Sequence, residues 1–398
     1  MRVLFVVPPF AGHVNPLVGV AAELAAREHR VAWAGDPDLL GTLLPAGAVV
    51  HPCAGLDTAR PAGLRGFAAL KHLWDSVLVP LTEAMAPGVD AAVDAERPEV
   101  VVADQQAFAG AFAAARRGIP LATSATTSAE LVDPLAGLPA VAERVAAQLA
   151  DLRARFGGTG DPRFSDRLIL AFTSADLAGP AAARAAVRFV GPIARPPEPH
   201  DFDFARLDPE RPLVYVSLGT LNDDARFLAE CADALAERPH LQGVLVDPTG
   251  SVAAPHVISA PRLPQPALLE RAAAVICHGG HNTVCEALAR GLPLVVAPIR
   301  DDQPVIAQQV VAAGAGVRLR FAHATARHIG RALDTVLTDP GYAASARAVR
   351  DSFTAAGGAA AAVDALEALV APVEICPPRR VGSGAIVRVG NTFHPPLT

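Results

Sequence analysis

Three places in this 398-residue chain hold residue types that do chemistry. The first is His13, in the short stretch Pro8 to Pro16 that follows the apolar run Val3 to Val7. The second is Asp104, directly after the apolar run Glu99 to Ala103. The third is the segment from Arg262 to Gln303, with His278-Gly279-Gly280-His281-Asn282-Thr283 at its centre. An imidazole whose one nitrogen is held by a carboxylate serves as a general base through the other. A glycine turn opening a helix serves as an anion cradle, because the first helical N–H groups lack partners and the dipole end is positive. His278 and Thr283 add donors there. Each feature also has a plainer reading: a solvated or capping histidine, an N-cap aspartate, a common diglycine turn.

These residues need particular elements to bring them together. Val3 to Val7 reads as a buried parallel strand, and Asn15 to Arg27 as a helix with Leu17, Val20, Ala21 and Leu24 on one face. With Arg30 to Ala34 as the next strand, this is a βαβ start that leaves His13 in a loop at the carboxyl edge of a sheet. Glu99 to Ala103 is a further strand before a helix near Ala107, so Asp104 lies on the same edge and can meet His13. Leu168 to Phe172 and Arg188 to Val190 read as the last strands of this half. Gly191 to Pro212 is proline-rich and irregular, a semi-rigid linker. Leu213 to Ser217 restarts the pattern. Ala274 to Cys277, the glycine turn, a helix His281 to Arg290 and the run Leu292 to Pro298 then read as strand, turn, helix, strand. Helices follow over Gln303 to Ala313, 325–337, 341–356 and 359–370.

Composition narrows the class. Apolar residues are 51% and charged residues 19%, which argues against disorder. A net charge of −6 supplies no attraction to nucleic acid. The first apolar run is too short for a signal peptide and no run has membrane-span length. Five cysteines, Cys53, Cys231, Cys277, Cys285 and Cys376, without a CxxC pair point to the reducing cytoplasm.

Pro264-Gln265, the His-Gly-Gly-x-Asn-Thr turn, Glu286, Gly291-Leu292-Pro293 and Asp302-Gln303 together resemble the nucleotide-sugar signature of family 1 glycosyltransferases. These are the inverting GT-B enzymes of plants and actinobacteria, among them macrolide and carotenoid glycosyltransferases. The resemblance covers most of the chain. It implies an α/β fold of two Rossmann-like βαβ domains facing each other across a cleft. Their extents would be an acceptor domain at 1–195, a linker at 196–212, and a nucleotide-sugar domain at 213–372 whose final helix crosses back. The resemblance assigns no role to the tail at 373–398. It implies a UDP- or dTDP-sugar donor, an apolar small-molecule natural product as acceptor, and neither a metal nor another cofactor.

By resemblance, His13 is the catalytic base and Asp104 orients it. His278, Gly280, Asn282 and Thr283 hold the diphosphate, with Gly219 and Thr220 facing it from the first loop of the second domain. A plain glycine turn and helix cap explain the last two equally well. Glu286 takes ribose hydroxyls and Asp302-Gln303 sugar hydroxyls, while Arg262, Leu263 and Gln265 complete the donor side. Phe10, Trp74 and Phe108 are acceptor-side candidates; Trp74 belongs to a stretch whose helical spacing also suits core. Many members have Trp where this chain has Arg262, so the base, uracil or thymine, stays open. His281 sits where plant members carry Trp, which favours a packing position over a zinc site formed with Cys277, His278 and Cys285. A GT-B sugar-nucleotide epimerase and a non-catalytic nucleotide-sugar-binding protein are the alternative functions.

Overall fold

The computed structural model describes residues 1–371 apart from 57–63, 65, 133–134, 136, 183–184, 194–199 and 220–223. Thr220, Cys376, part of the linker and the whole 373–398 tail therefore lie outside the described residues. Short β-branched runs form two all-parallel sheets. The first holds β1 (Arg2–Val6), β2 (Arg30–Gly35), β3 (Val49–Pro52), β4 (Val100–Asp104), β5 (Leu121–Ala125), β6 (Ile169–Ala171) and β7 (Val187–Phe189). Its order is β3-β2-β1-β4-β5-β6-β7. The second holds β8 (Leu213–Ser217), β9 (Gln242–Val246), β10 (Val257–Ala260), β11 (Ala272–Cys277), β12 (Leu294–Val296) and β13 (Gly316–Arg318), in the order β10-β9-β8-β11-β12-β13. Helices cover both faces, so the central strands are buried on both sides and read as continuous apolar runs.

Each order reverses once at its centre, between β1 and β4 and again between β8 and β11. A crevice opens at such a switch point because the flanking connections leave to opposite faces. His13 follows β1 and Asp104 ends β4; Gly219 follows β8 and His278 follows β11. Both expected pairs therefore sit at the mouths of the two crevices.

One boundary differs in a way that matters. The first helix spans Ala11–Ala26 rather than beginning near Asn15, so His13 stands in its first turn and not in a loop. Pro16 lies inside this helix and has no N–H to give to the carbonyl of Gly12. The final helix, Gly358–Val370, returns to the first sheet. There Val363, Leu366 and Leu369 share one core with Val3, Leu17 and Leu24. Arg27 pairs with Asp364 at 2.7 Å and His29 meets Glu367 at 2.8 Å, which fixes the helix's register. Among the described residues no single helix is long and apolar enough to cross a membrane.

Leu366 is fully buried in that returning contact. Leu366→Ala should destabilise the protein by about 2–5 kcal/mol, read as a lower denaturation midpoint. A loss below about 1 kcal/mol would show that the helix is not held by this core.

Candidate functional site

The first corner of the site is built on a buried carboxylate. Asp104 is 1% exposed at the end of β4. Its Oδ1 accepts the backbone N–H of Gln106 at 2.9 Å, the turn that also suits an N-cap-like aspartate. The same oxygen accepts from His13 Nδ1 at 2.9 Å, and Oδ2 accepts the hydroxyl of Thr126 at 2.9 Å. Thr126 Oγ1 also lies 2.8 Å from His13 Nδ1. A carboxylate only accepts and the Thr126 proton goes to Asp104, so Nδ1 must carry the imidazole proton. That tautomer leaves the Nε2 lone pair as a base. Burial disfavours charge on His13, yet the Asp104 carboxylate, with smaller contributions from Asp302 and Glu130, outweighs it and raises the pKa above 6.5.

The second corner is the turn after β11. Gly279 has a φ of +87°, where a side chain would be strained and a Cβ would fall 2.9 Å from Val296. Gly280 then precedes the helix His281–Leu288 without any side-chain cap, so the helix amides face the crevice. The His278 ring fills the space beside Gly219 and Gly280. A Cβ would stand 2.7 Å from its Cε1 at Gly219 and 2.5 Å from its Nε2 at Gly280. Burial depresses the His278 pKa to about 4, so the ring is neutral. Its one N–H faces the Ser217 carbonyl, so the ring packs the turn and carries no charge of its own.

Three polar contacts join the two sides of the site. Asn282 Nδ2 donates to the carbonyl of Gly12 at 2.9 Å. Gly12 is the carbonyl that Pro16 leaves without a helical donor, so the proline in one domain creates the acceptor that the other domain uses. Thr127 Oγ1 donates to Asp302 Oδ2 at 2.7 Å. Asp301, just before it, holds a φ of +55°, a strained turn that aims Asp302 at the first domain. Ser128 Oγ donates to Gln309 Oε1 at 2.6 Å. Thr126, Thr127 and Ser128 thus reach the dyad, Asp302 and the helix Gln303–Ala312 in turn. Sequence reasoning missed these residues, and also Glu130, whose buried carboxyl is pushed up by desolvation. The available signal was a run of hydroxyls at the carboxyl end of β5, the same edge that holds Asp104.

The remaining candidates are placed as follows. Gln265 Nε2 donates to Glu286 Oε2 at 2.6 Å, and Tyr215 donates to Gln265 Oε1 at 3.1 Å, so these form one unit. Arg262 is exposed and Leu263 is half-buried against the second core. Gln303 is buried, and its Oε1 accepts the N–H groups of Ile299 and Arg300, both at 2.9 Å. That oxygen shapes the Asp302 turn. Asn282 and Thr283 open the glycine-turn helix, with Thr283 8% exposed. Phe10 lies 5.5 Å from the His13 ring. Trp74 and Phe108 pack on each other at 5.9 Å, both buried, and back the wall from inside. His281 packs as a core residue, near the carbonyl of Phe172 at 3.3 Å and Cys285 Sγ at 3.5 Å. Among the described residues no three His, Cys, Asp or Glu side chains converge on a metal-holding point.

Burial also holds His281 neutral, with a pKa near 4. Both buried histidines have folded pKa values below the unfolded 6.5, so the unfolded chain takes up protons first. Their contribution is complete above pH 6.5 and is lost as pH falls from there toward about 4. The denaturation midpoint should drop between about pH 7 and about pH 5, and His281→Gln should flatten that drop. An equally steep drop in the variant would contradict the assignment.

Residues 166–350 match the family model described as UDP-glucoronosyl and UDP-glucosyl transferase. Among curated proteins, 4'-demethylrebeccamycin synthase of Lentzea aerocolonigenes is 31% identical, over 93% of this chain and 99% of that protein. The solved glycotransferase of kitacinnamycin superposes with a TM-score of 0.78 at 27% identity, covering 92% of this chain and 98% of its own. Spinosyn rhamnosyltransferase SpnG, solved with thymidine diphosphate and with spinosyn aglycone, gives a TM-score of 0.74 for the thymidine diphosphate complex at 27% identity. That complex covers 92% of this chain and 100% of its own. The two parallel sheets with mouths facing one another are the GT-B fold of these transferases, and the chain belongs to the UDP-glucoronosyl and UDP-glucosyl transferase family.

Proposed function

We propose that this glycosyltransferase moves a sugar from a UDP- or dTDP-sugar to a hydroxyl of an apolar natural product, with inversion and in the cytoplasm. The observation that carries this reading is the His13–Asp104–Thr126 unit, whose hydrogen bonds leave Nε2 as the basic atom beside the donor crevice. In the proposed step the acceptor hydroxyl gives its proton to His13 Nε2 while its oxygen bonds to the anomeric carbon. The bond from that carbon to the diphosphate oxygen breaks, and its electron pair leaves with the diphosphate. A single displacement by an oxygen opposite the leaving group inverts the centre. Asp104 stabilises the imidazolium that forms.

The donor side rests on the uncapped helix at Gly280, whose amides and dipole would meet the developing negative charge. Thr283 and Gly219 would extend the cradle, backed by the buried His278 ring. The Gln265–Glu286 unit suits ribose hydroxyls, and the Arg262 guanidinium can stack on a base. Asp302 and Gln303 belong on the sugar. The acceptor would lie over the first sheet, with Phe10 next to the base and the Trp74–Phe108 layer behind the wall. Spinosyn rhamnosyltransferase SpnG, solved with thymidine diphosphate and with spinosyn aglycone, supports both halves of this reading.

UDP and dTDP should raise the melting temperature, the preferred base by more, while GDP should not. Gly280→Ala, which forces a Cβ onto the His278 ring, should weaken that nucleotide's binding at least about tenfold. His13→Ala should cut transfer by about 100- to 10,000-fold and leave nucleotide binding intact. No thermal shift with either nucleotide, or full turnover in His13→Ala, would overturn the proposal.

A further inference from the structure

Of the three hydrogen bonds that cross the mouth, one ends on the peptide unit of the base itself. The Gly12 carbonyl, which accepts from Asn282 Nδ2 at 2.9 Å, belongs to the same peptide group as the His13 N–H. That N–H is held by the carbonyl of Phe10 at 2.9 Å, and the imidazole is held by Asp104 at 2.9 Å. Pro16 gives the Gly12 carbonyl no helical donor, so this side of the peptide is fixed from the other domain. The approach is close because residue 12 lacks a side chain: a Cβ there would lie 3.3 Å from Asn282 Nδ2. The Thr127–Asp302 and Ser128–Gln309 bonds start instead from the segment after β5.

Asn282 is the second residue of the helix His281–Leu288, in the turn whose uncapped amides form the proposed diphosphate cradle. His281 before it is buried and meets the first domain at the carbonyl of Phe172, 3.3 Å away, and at Ser128 Oγ, 3.4 Å away. His281 thus docks this helix end by itself. What Asn282 adds is a link, one side chain long, from the cradle amides to the base. We propose that Asn282 is a positioning residue that grips the His13 peptide from the donor helix, so that filling the cradle sets where the base stands. The roles of His13 and of the cradle are those of the proposed function, on which this inference rests. The bond uses one of two amide hydrogens, so a donor contact by the rest of the Asn282 amide is compatible with it.

The chain holds just two Gly-His steps, Gly12–His13 and Gly280–His281. Carbonyl-labelled glycine combined with nitrogen-labelled histidine therefore marks the two ends of the link in an NMR spectrum, without any acceptor. Saturating dTDP or UDP, whichever binds, should move the Gly280–His281 signal and the Gly12–His13 signal together. In Asn282→Ala the first shift should remain, which also reports an intact cradle, and most of the second should be lost. Transfer by this variant at saturating donor and acceptor should fall about 10- to 100-fold, the cost of a base misplaced by up to about 1 Å. A Gly12–His13 shift of equal size in both proteins would mark a through-space effect of the diphosphate and overturn the inference. Undiminished transfer, or a wild type in which only the Gly280–His281 signal moves, would overturn it as well. A wild type in which neither nucleotide moves either signal would overturn the proposed function with it.

Discussion

The carboxylate of Asp104 is the constraint on which the rest of the site depends. It is buried at the end of a central strand, where an unpaired charge is prohibitive, so every donor around it is under pressure to stay. A backbone N–H, an imidazole N–H and a threonine hydroxyl meet that demand. Because these three come from the β4 connection, the first helix and the end of β5, one carboxylate pins three elements to each other. The orientation of His13 follows from satisfying Asp104 and not from any packing of the imidazole, which remains partly exposed.

A second constraint joins the domains. Hydrogen bonds cross the mouth, Asn282 to the Gly12 carbonyl, Thr127 to Asp302 and Ser128 to Gln309, and beside them Ala129 and Leu177 pack into the second core. Polar contacts of this kind cost little to exchange for ligand groups of the same chemistry. A further attachment is the last helix with its Arg27–Asp364 and His29–Glu367 contacts on the first core.

Much of this was legible in the sequence, for physical reasons that differ by element. The central strands β1, β4, β8 and β11 read correctly because both faces are buried, which leaves uninterrupted apolar runs such as Val100 to Ala103, whereas β3, β5, β9, β10 and β13 were not read. His13 and Asp104 were legible as a pair because parallel strands place their carboxyl ends on one edge. The start of the first helix was misplaced. Phe10 caps it without a side-chain hydrogen bond and Pro16 lies within it, so neither usual signal marks Ala11. Thr126 and Thr127 were missed despite the run of hydroxyls at the end of β5, because a hydroxyl after a strand is ordinary until the fold shows what stands opposite. The neutrality of His278 was likewise hidden, since it comes from burial between the Gly219 and Gly280 turns, which adjoin only in three dimensions.

Asp104 holds His13 as an Nδ1-protonated imidazole with a raised pKa. Nitrogen NMR of histidine-labelled protein measures both properties at once, without donor or acceptor. The account predicts a His13 resonance of the Nδ1–H tautomer titrating above 6.5, and a lower midpoint in Asp104→Asn. A His13 that titrates at or below 6.5, or carries its proton on Nε2 at neutral pH, would contradict it.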